Sequence, residues 1–242
     1  MSGAASMHTT GPSEGSAGSA GAARAARSPR RRAEKAAAIT HAACGVFGRD
    51  GYARAGVDTI AAEAGVSTRT IYNHFPGGKA ELFRTVMLWS SARVRDEQLV
   101  QLRRCLDPER PPHPDDLERD LLALAHAWLG LLTDFREHFA LVRHIQGEAG
   151  HIPADVLDAW QDAGPRAVRR ELAAILTAFH DRGLLDVHGD AAQATTHFMT
   201  LTSTEVVQRS YWGVIPLPPE QVEQTATAGV RAFLRAYGPA RR

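Results

Sequence analysis

Arg69, Thr70, Tyr72 and Asn73 stand within one short polar segment, Thr68 to His74, and the chemistry they offer is recognition, not bond-making. A guanidinium is a planar fork of donors, the Asn73 amide both donates and accepts, and the hydroxyls of Thr68, Thr70 and Tyr72 do either. Groups of this kind hold phosphates and read base edges. Reactive constellations are weaker. Glu148 and His151 have the Glu-x-x-His spacing of a carboxylate-bridged metal site, but Gly150 interrupts it and the companion glutamates and second copy are missing. His126, His138, His144 and His180 are dispersed without ligand spacing. No GxSxG, P-loop or GxGxxG occurs. No enzyme activity, metal or cofactor is therefore expected.

The elements that would carry the polar segment are legible around it. Val57, Ile60, Ala61 and Ala64 recur at three- and four-residue spacing, one face of a helix. Gly65 follows where a left-handed residue ends a helix, and Ser67 is a natural N-cap for the next. In that second helix Val66, Ile71 and Phe75 can anchor one side while Arg69, Thr70, Tyr72 and Asn73 stay free. Such a pair is a helix-turn-helix with a second helix fit for a DNA major groove. An ordinary αα-corner has the same local features, so the neighbourhood must decide.

Charge distribution supports the nucleic-acid reading. The net charge is only +1, yet Arg24 to Ser90 hold 11 Lys/Arg against 5 Asp/Glu, and the remainder 17 against 22. Positive charge is concentrated where the motif lies, as a footprint on phosphate requires. Residues 1–27 are Gly, Ser and Ala with few large apolar groups, too few to offset ordering entropy, and are expected to be a disordered tail. Arg30, Arg31 and Arg32 then form a basic arm before the first helix, either a solvated helix start or an arm reaching phosphates and the minor groove.

Upstream, Ala43-Cys44-Gly45-Val46-Phe47 precedes a turn and Gly51-Tyr52; downstream, Pro76-Gly77-Gly78-Lys79 precedes Ala80-Glu81-Leu82-Phe83. In that order, and through IAAEAGVSTRTIYNHF above all, the chain resembles the DNA-binding domain of the TetR (tetracycline repressor-like) family of bacterial transcriptional regulators. The resemblance covers roughly Arg31 to Phe83, about a quarter of the chain. It implies that Ser67, Thr68, Arg69 and Thr70 start the recognition helix, with Arg69 and Thr70 best placed for base edges. It makes Tyr72 and Lys79 phosphate contacts and sets His74 beside the backbone, with Asn73 a further DNA-binding residue of the same helix. Two departures stand out. Ala55-Gly56 replaces the usual hydroxyl pair before the motif's first helix, and Gly77-Gly78 lengthens the turn and removes the usual cap before Lys79.

Beyond the motif the pattern is helical throughout. A fourth helix is expected from near Lys79 to Leu106, roughly 40 Å long at 1.5 Å per residue. Leu117, Leu121, Leu124, Trp128 and Leu131 step by four and three along the next. Further helices follow to about Gly147, around Val156 and Trp160, from Pro165 to Gly183, and over 190–211 and 219–237. The fold class is all-α: a tail over 1–27, a three-helix DNA-binding domain over 28–80, and a helical domain over 81–242 that the resemblance makes the ligand-binding and dimerisation domain. Hydrophobic residues at 44% and charged residues at 23% suit a globular protein. No apolar run reaches membrane-spanning length, and Cys44 and Cys105 suit free thiols in a reducing cytoplasm.

The resemblance further implies a small-molecule pocket among helices 4 to 7, for which Trp89, Trp128, Phe135, His138, Phe139, Trp160 and Phe179 are the candidates, and a mainly apolar effector. It also implies a homodimer made by the last two helices through Phe198, Leu201, Val206, Val222, Val230, Phe233 and Leu234. The function expected is a ligand-responsive repressor of a palindromic double-stranded operator. The alternative is a DNA-binding adaptor or architectural protein whose C-terminal domain binds a protein and no ligand.

Overall fold

The structure, a computed structural model, describes residues 17–239, with side chains from residue 29 onward. Residues 1–16 of the expected tail lie outside the described residues, and helix α1 (Ala17–Arg54) covers the rest of that stretch. The chain divides into two compact units, residues 1–38 and 39–242. In the first, Arg30, Arg31 and Arg32 are all exposed, and Arg30 pairs with Glu34 one turn on at 2.9 Å.

Every regular element among the described residues is helical, as the periodicity predicts. In the second unit the remainder of α1 is followed by α2 (Val57–Glu63), α3 (Thr68–His74), α4 (Gly78–Cys105), α5 (Leu117–Asp134), α6 (Arg136–Glu148), α7 (Ala154–Ala163), α8 (Pro165–Asp181), α9 (Ala191–Arg209) and α10 (Pro219–Tyr237). Two short 3₁₀ turns, Pro114–Asp116 and Ala149–His151, lead into α5 and α7. Their starts and stops follow local chemistry. Pro165 opens α8 in the first turn, where its missing N–H is no loss. Asp190 caps α9 by accepting from the Gln193 N–H at 2.8 Å. Inside α1 the helix breaks at Gly51, whose φ of 75° and ψ of 168° lie outside the helical region.

Two apolar clusters hold this unit. The first joins Ile39, Ala43, Val46 and Phe47 of α1 to Ile60, Ile71, Leu82, Val86 and Met87, and continues into Leu141, Val142, Ile145 and Trp160 of α6 and α7. The second packs α4, α5, α8, α9 and α10 around Leu102, Leu121, Leu124, Leu172, Ile175, Phe179, Phe198, Val230 and Phe233. The head that carries α2 and α3 is thus packed directly on α6. Gly48 makes that approach possible, since a Cβ there would stand 3.0 Å from the Glu137 carbonyl oxygen and 3.3 Å from Ala140 Cβ.

The apolar stripes of α9 and α10 correct an expectation. Phe198, Val206, Val230 and Phe233 are buried within the chain's own core, with Phe198 and Phe233 edge to face at 5.4 Å. A side chain enclosed by its own protomer has no surface left for a partner. Of the residues expected at a dimer interface, Leu201 is exposed, and Val222 and Leu234 are half-buried.

Candidate nucleic-acid interface

The turn between α2 and α3 is built almost entirely by backbone. Gly65, at φ 64°, lets its N–H reach Ala62 O at 3.2 Å, and the Val66 N–H reaches Ala61 O at 2.9 Å. Both bonds satisfy carbonyls that the end of α2 would leave unpaired. Ser67 then caps α3: its Oγ accepts from the Thr70 N–H at 3.2 Å. Ile60, Ala61, Ile71 and Phe75 bury the inner faces of the pair. As the sequence suggests, Gly56 provides no side-chain cap for α2.

With the inner face anchored, α3 turns its polar face to solvent. Arg69, Tyr72 and Asn73 are exposed and have no hydrogen-bond partner among the described residues. Thr68 and His74 are half-buried at either end. Thr70 is a different case from the expected base reader. Its Oγ1 lies 2.9 Å from Ser67 Oγ, so its hydroxyl is engaged in the cap.

Lys79 is also placed differently. Its Nζ donates to the Ala53 carbonyl at 3.1 Å and lies 4.9 Å from the centroid of the Tyr52 ring. Where a phosphate contact was expected, the ammonium clamps the first turn of α4 onto the end of α1. Gly77 and Gly78 bring this about: Gly78, at φ 67°, turns the chain so that the next residue faces Tyr52. The cap lost with the usual hydroxyl residue is replaced by Glu81, which accepts from the Gly77 N–H at 2.6 Å. A carboxylate one turn downstream of a glycine pair was the available signal for it.

The residues expected around an effector separate into two groups. Trp89, Phe135 and His138 line a cavity of about 320 Å³ between α1, α4 and α6, with Arg93 stacked at 4.8 Å over Trp89 and 5.7 Å over Phe135. Behind them runs a buried polar chain: Cys44 Sγ donates to Ser90 Oγ at 3.8 Å, and Ser90 Oγ meets His138 Nδ1 at 2.8 Å. Burial lowers the His138 imidazolium to about 4 and raises the Cys44 thiol to about 11, so both groups are neutral at pH 7. Trp128, Phe139, Trp160 and Phe179 line none of the described cavities. Trp128 donates from its indole N–H to Gln98 O at 3.3 Å and packs with Phe139 on the second cluster, Phe179 lies inside that cluster, and Trp160 belongs to the first. These four side chains are taken up in the chain's own packing, so only Trp89, Phe135 and His138 of the expected set border open space.

A capped, solvent-facing α3 anchored with α2 on a shared buried face defines a helix-turn-helix DNA-binding protein. Two family models match: "Bacterial regulatory proteins, tetR family" over residues 39–86, and "AefR-like transcriptional repressor, C-terminal domain" over residues 119–239. The chain belongs to the TetR family of transcriptional regulators, and regulation through DNA binding is its class of function. Solved structures agree. A TetR-family regulator from Mesorhizobium loti is 26% identical, with a TM-score of 0.72 over 86% of this chain and 98% of that one. The flavonoid-responsive regulator FrrA is 28% identical, with a TM-score of 0.63 over 86% and 100%. A TetR-family regulator from Pseudomonas syringae pv. tomato is 26% identical, with a TM-score of 0.57 over 83% and 95%. A comparison with curated proteins found no match. No helix among the described residues is long and apolar enough to cross a membrane.

Proposed function

We propose that this regulator is a homodimeric repressor that leaves a palindromic operator when a small molecule binds. The observation that carries it is the outer face of α3, where Arg69, Tyr72 and Asn73 are exposed without internal partners. Polar groups held at a rigid helix start, with nothing of their own to bond, are suited to an external partner of fixed geometry. Arg69 is the residue for a guanine edge, and Tyr72 for phosphate. Two such helices in a dimer address half-sites about 34–36 Å apart.

The outer faces of α9 and α10 support the dimer. Thr200 and Leu201 are exposed on α9, and Ala228 is exposed on α10. These small and apolar groups suit close helix packing. The flavonoid response of a 28% identical structural relative supports an aromatic effector. A coupling of about 1–3 kcal/mol between effector and operator, or 5- to 150-fold in affinity, is an ordinary size for such linkage.

The test is footprinting of the DNA next to the regulator's own gene, repeated with aromatic metabolites. A protected palindrome that is lost on adding one of them is the expected result. Binding without sequence preference, insensitive to every effector, would favour the architectural alternative.

A further inference from the structure

We infer that the effector is a hydroxylated aromatic carboxylic acid held in the cleft between the DNA-binding head and α6–α7, with its carboxylate on Arg84. The inference rests on the proposed ligand-responsive function and places the sensor beside the DNA-binding head, apart from the smaller cavities along α5. The cleft has a volume of about 900 Å³, near the upper end of the roughly 300–1,000 Å³ usual for small-molecule sites. Tyr52 and Phe83 line it with rings 4.8 Å apart, and Val156 stands among its apolar residues on the α7 side. An aromatic surface of that kind takes a planar apolar body.

Charge then selects the ends of the ligand. Arg84 lines the cleft, is exposed, and has no partner among the described residues. Exposed arginines elsewhere are in part paired with carboxylates, as Arg103, Arg166 and Arg231 are at 3.1 Å or closer, and in part unpaired, as Arg104 and Arg169 are; what sets Arg84 apart is its place on the wall of this cleft. Glu148 and His151 line the same cleft from the end of α6 and the turn after it, also without partners. Arg84 and Glu148 thus share one cleft yet form no ion pair. A ligand with a carboxylate for the guanidinium and a hydroxyl for the Glu148 or His151 side satisfies both.

The location also provides the regulation. At the break in α1, a Cβ on Gly51 would meet His144 Nδ1 at 3.0 Å and Glu148 Oε1 at 3.4 Å. The cleft therefore opens beside the joint where the head rests on α6. A molecule that binds better when this joint is wider shifts the head away from its operator spacing.

The probe is 6-hydroxy-2-naphthoic acid, whose own fluorescence reports binding, compared with its carboxamide on the full chain. The acid is expected to saturate the protein, and the carboxamide to bind about 10-fold more weakly for want of a charge-assisted bond. Arg84→Gln should bring the acid down to the carboxamide's affinity, and Ala80→Trp, which fills the cleft from α4, should weaken both. Ala80 and Arg84 are exposed, so melting curves should match the unmodified chain. Undiminished preference for the acid in Arg84→Gln, undiminished binding in Ala80→Trp, or no binding of either compound would each overturn the inference. Operator binding without ligand is measured alongside: its absence would sink the regulator function and leave the cleft titration to be judged separately.

Discussion

The side chains of Ser67 and Thr70 close on each other at the first turn of α3, their hydroxyls 2.9 Å apart, while the Thr70 N–H donates to Ser67 Oγ at 3.2 Å. The recognition helix has only seven residues. So short a helix has little propensity of its own, and its order depends on cap and packing. Ser67→Ala should therefore cost about 0.5–2 kcal/mol of stability and weaken operator binding with it. Ser67→Asp, which restores an acceptor, should recover the melting temperature. Equal melting of Ser67→Ala and the unmodified chain would show that the cap does not hold the helix.

Arg69 and Tyr72 separate base reading from anchorage. Arg69→Ala should cost roughly 1–3 kcal/mol at the operator and relax preference at one base pair per half-site. Tyr72→Phe should weaken all sequences alike. Both side chains are exposed, so neither change should move the melting temperature much. Binding to a library of operator variants checks both, and an unchanged base preference in Arg69→Ala would remove that residue from the reading face.

How much of this was legible depended on how local the cause is. The turn at Gly65, the cap at Ser67 and the buried Ile60 and Ile71 follow from neighbours within a few residues, and sequence displays such neighbours directly. The direction of Lys79 was not legible, because it is set by Ala53 and Tyr52, 26 and 27 positions away. The stripe Phe198, Val230 and Phe233 failed for a related reason. Helical periodicity shows that a face is apolar but not what covers it, and here the cover is the other helix of the same chain. The Cys44–Ser90–His138 chain unites three helices, and no spacing along the sequence announces it.

His138 predicts an acid response. Burial is the cause that lowers its value from 6.5 to about 4 in the folded chain. Below pH 6.5 the unfolded chain takes up a proton that the folded chain refuses, so this contribution is full above 6.5 and is lost as pH falls toward 4. Its upper bound is about 3 kcal/mol. His138→Gln keeps a partner for Ser90 and removes the titration. The drop in urea midpoint between pH 7 and pH 5 should be smaller for that variant; an identical drop would mean that His138 already carries its proton in the folded state.

Two helical glycines should respond oppositely to alanine. At Gly229 in α10 an added Cβ would run into the Leu201 carbonyl of α9, backbone that cannot rotate away. Gly229→Ala is expected to destabilise by about 1–3 kcal/mol. At Gly130 in α5 nothing stands within 4 Å of the new atom, so Gly130→Ala should stabilise by roughly 0.5–1 kcal/mol. Denaturant curves of the pair decide it, and a stabilised Gly229→Ala would mean that α9 and α10 are not in such close contact.

Because Phe198 and Phe233 bury each other inside one chain, each protomer of the proposed dimer brings a finished core to the assembly. Partners of this kind can separate and re-pair while folded. In a cell carrying two alleles, hybrid dimers would then form by simple exchange, each with one intact and one altered reading head. An allele damaged at Arg69 but sound in α9 and α10 would draw normal chains into half-blind pairs. Its phenotype would be dominant, whereas an allele whose chain cannot fold would enter no pair and remain recessive.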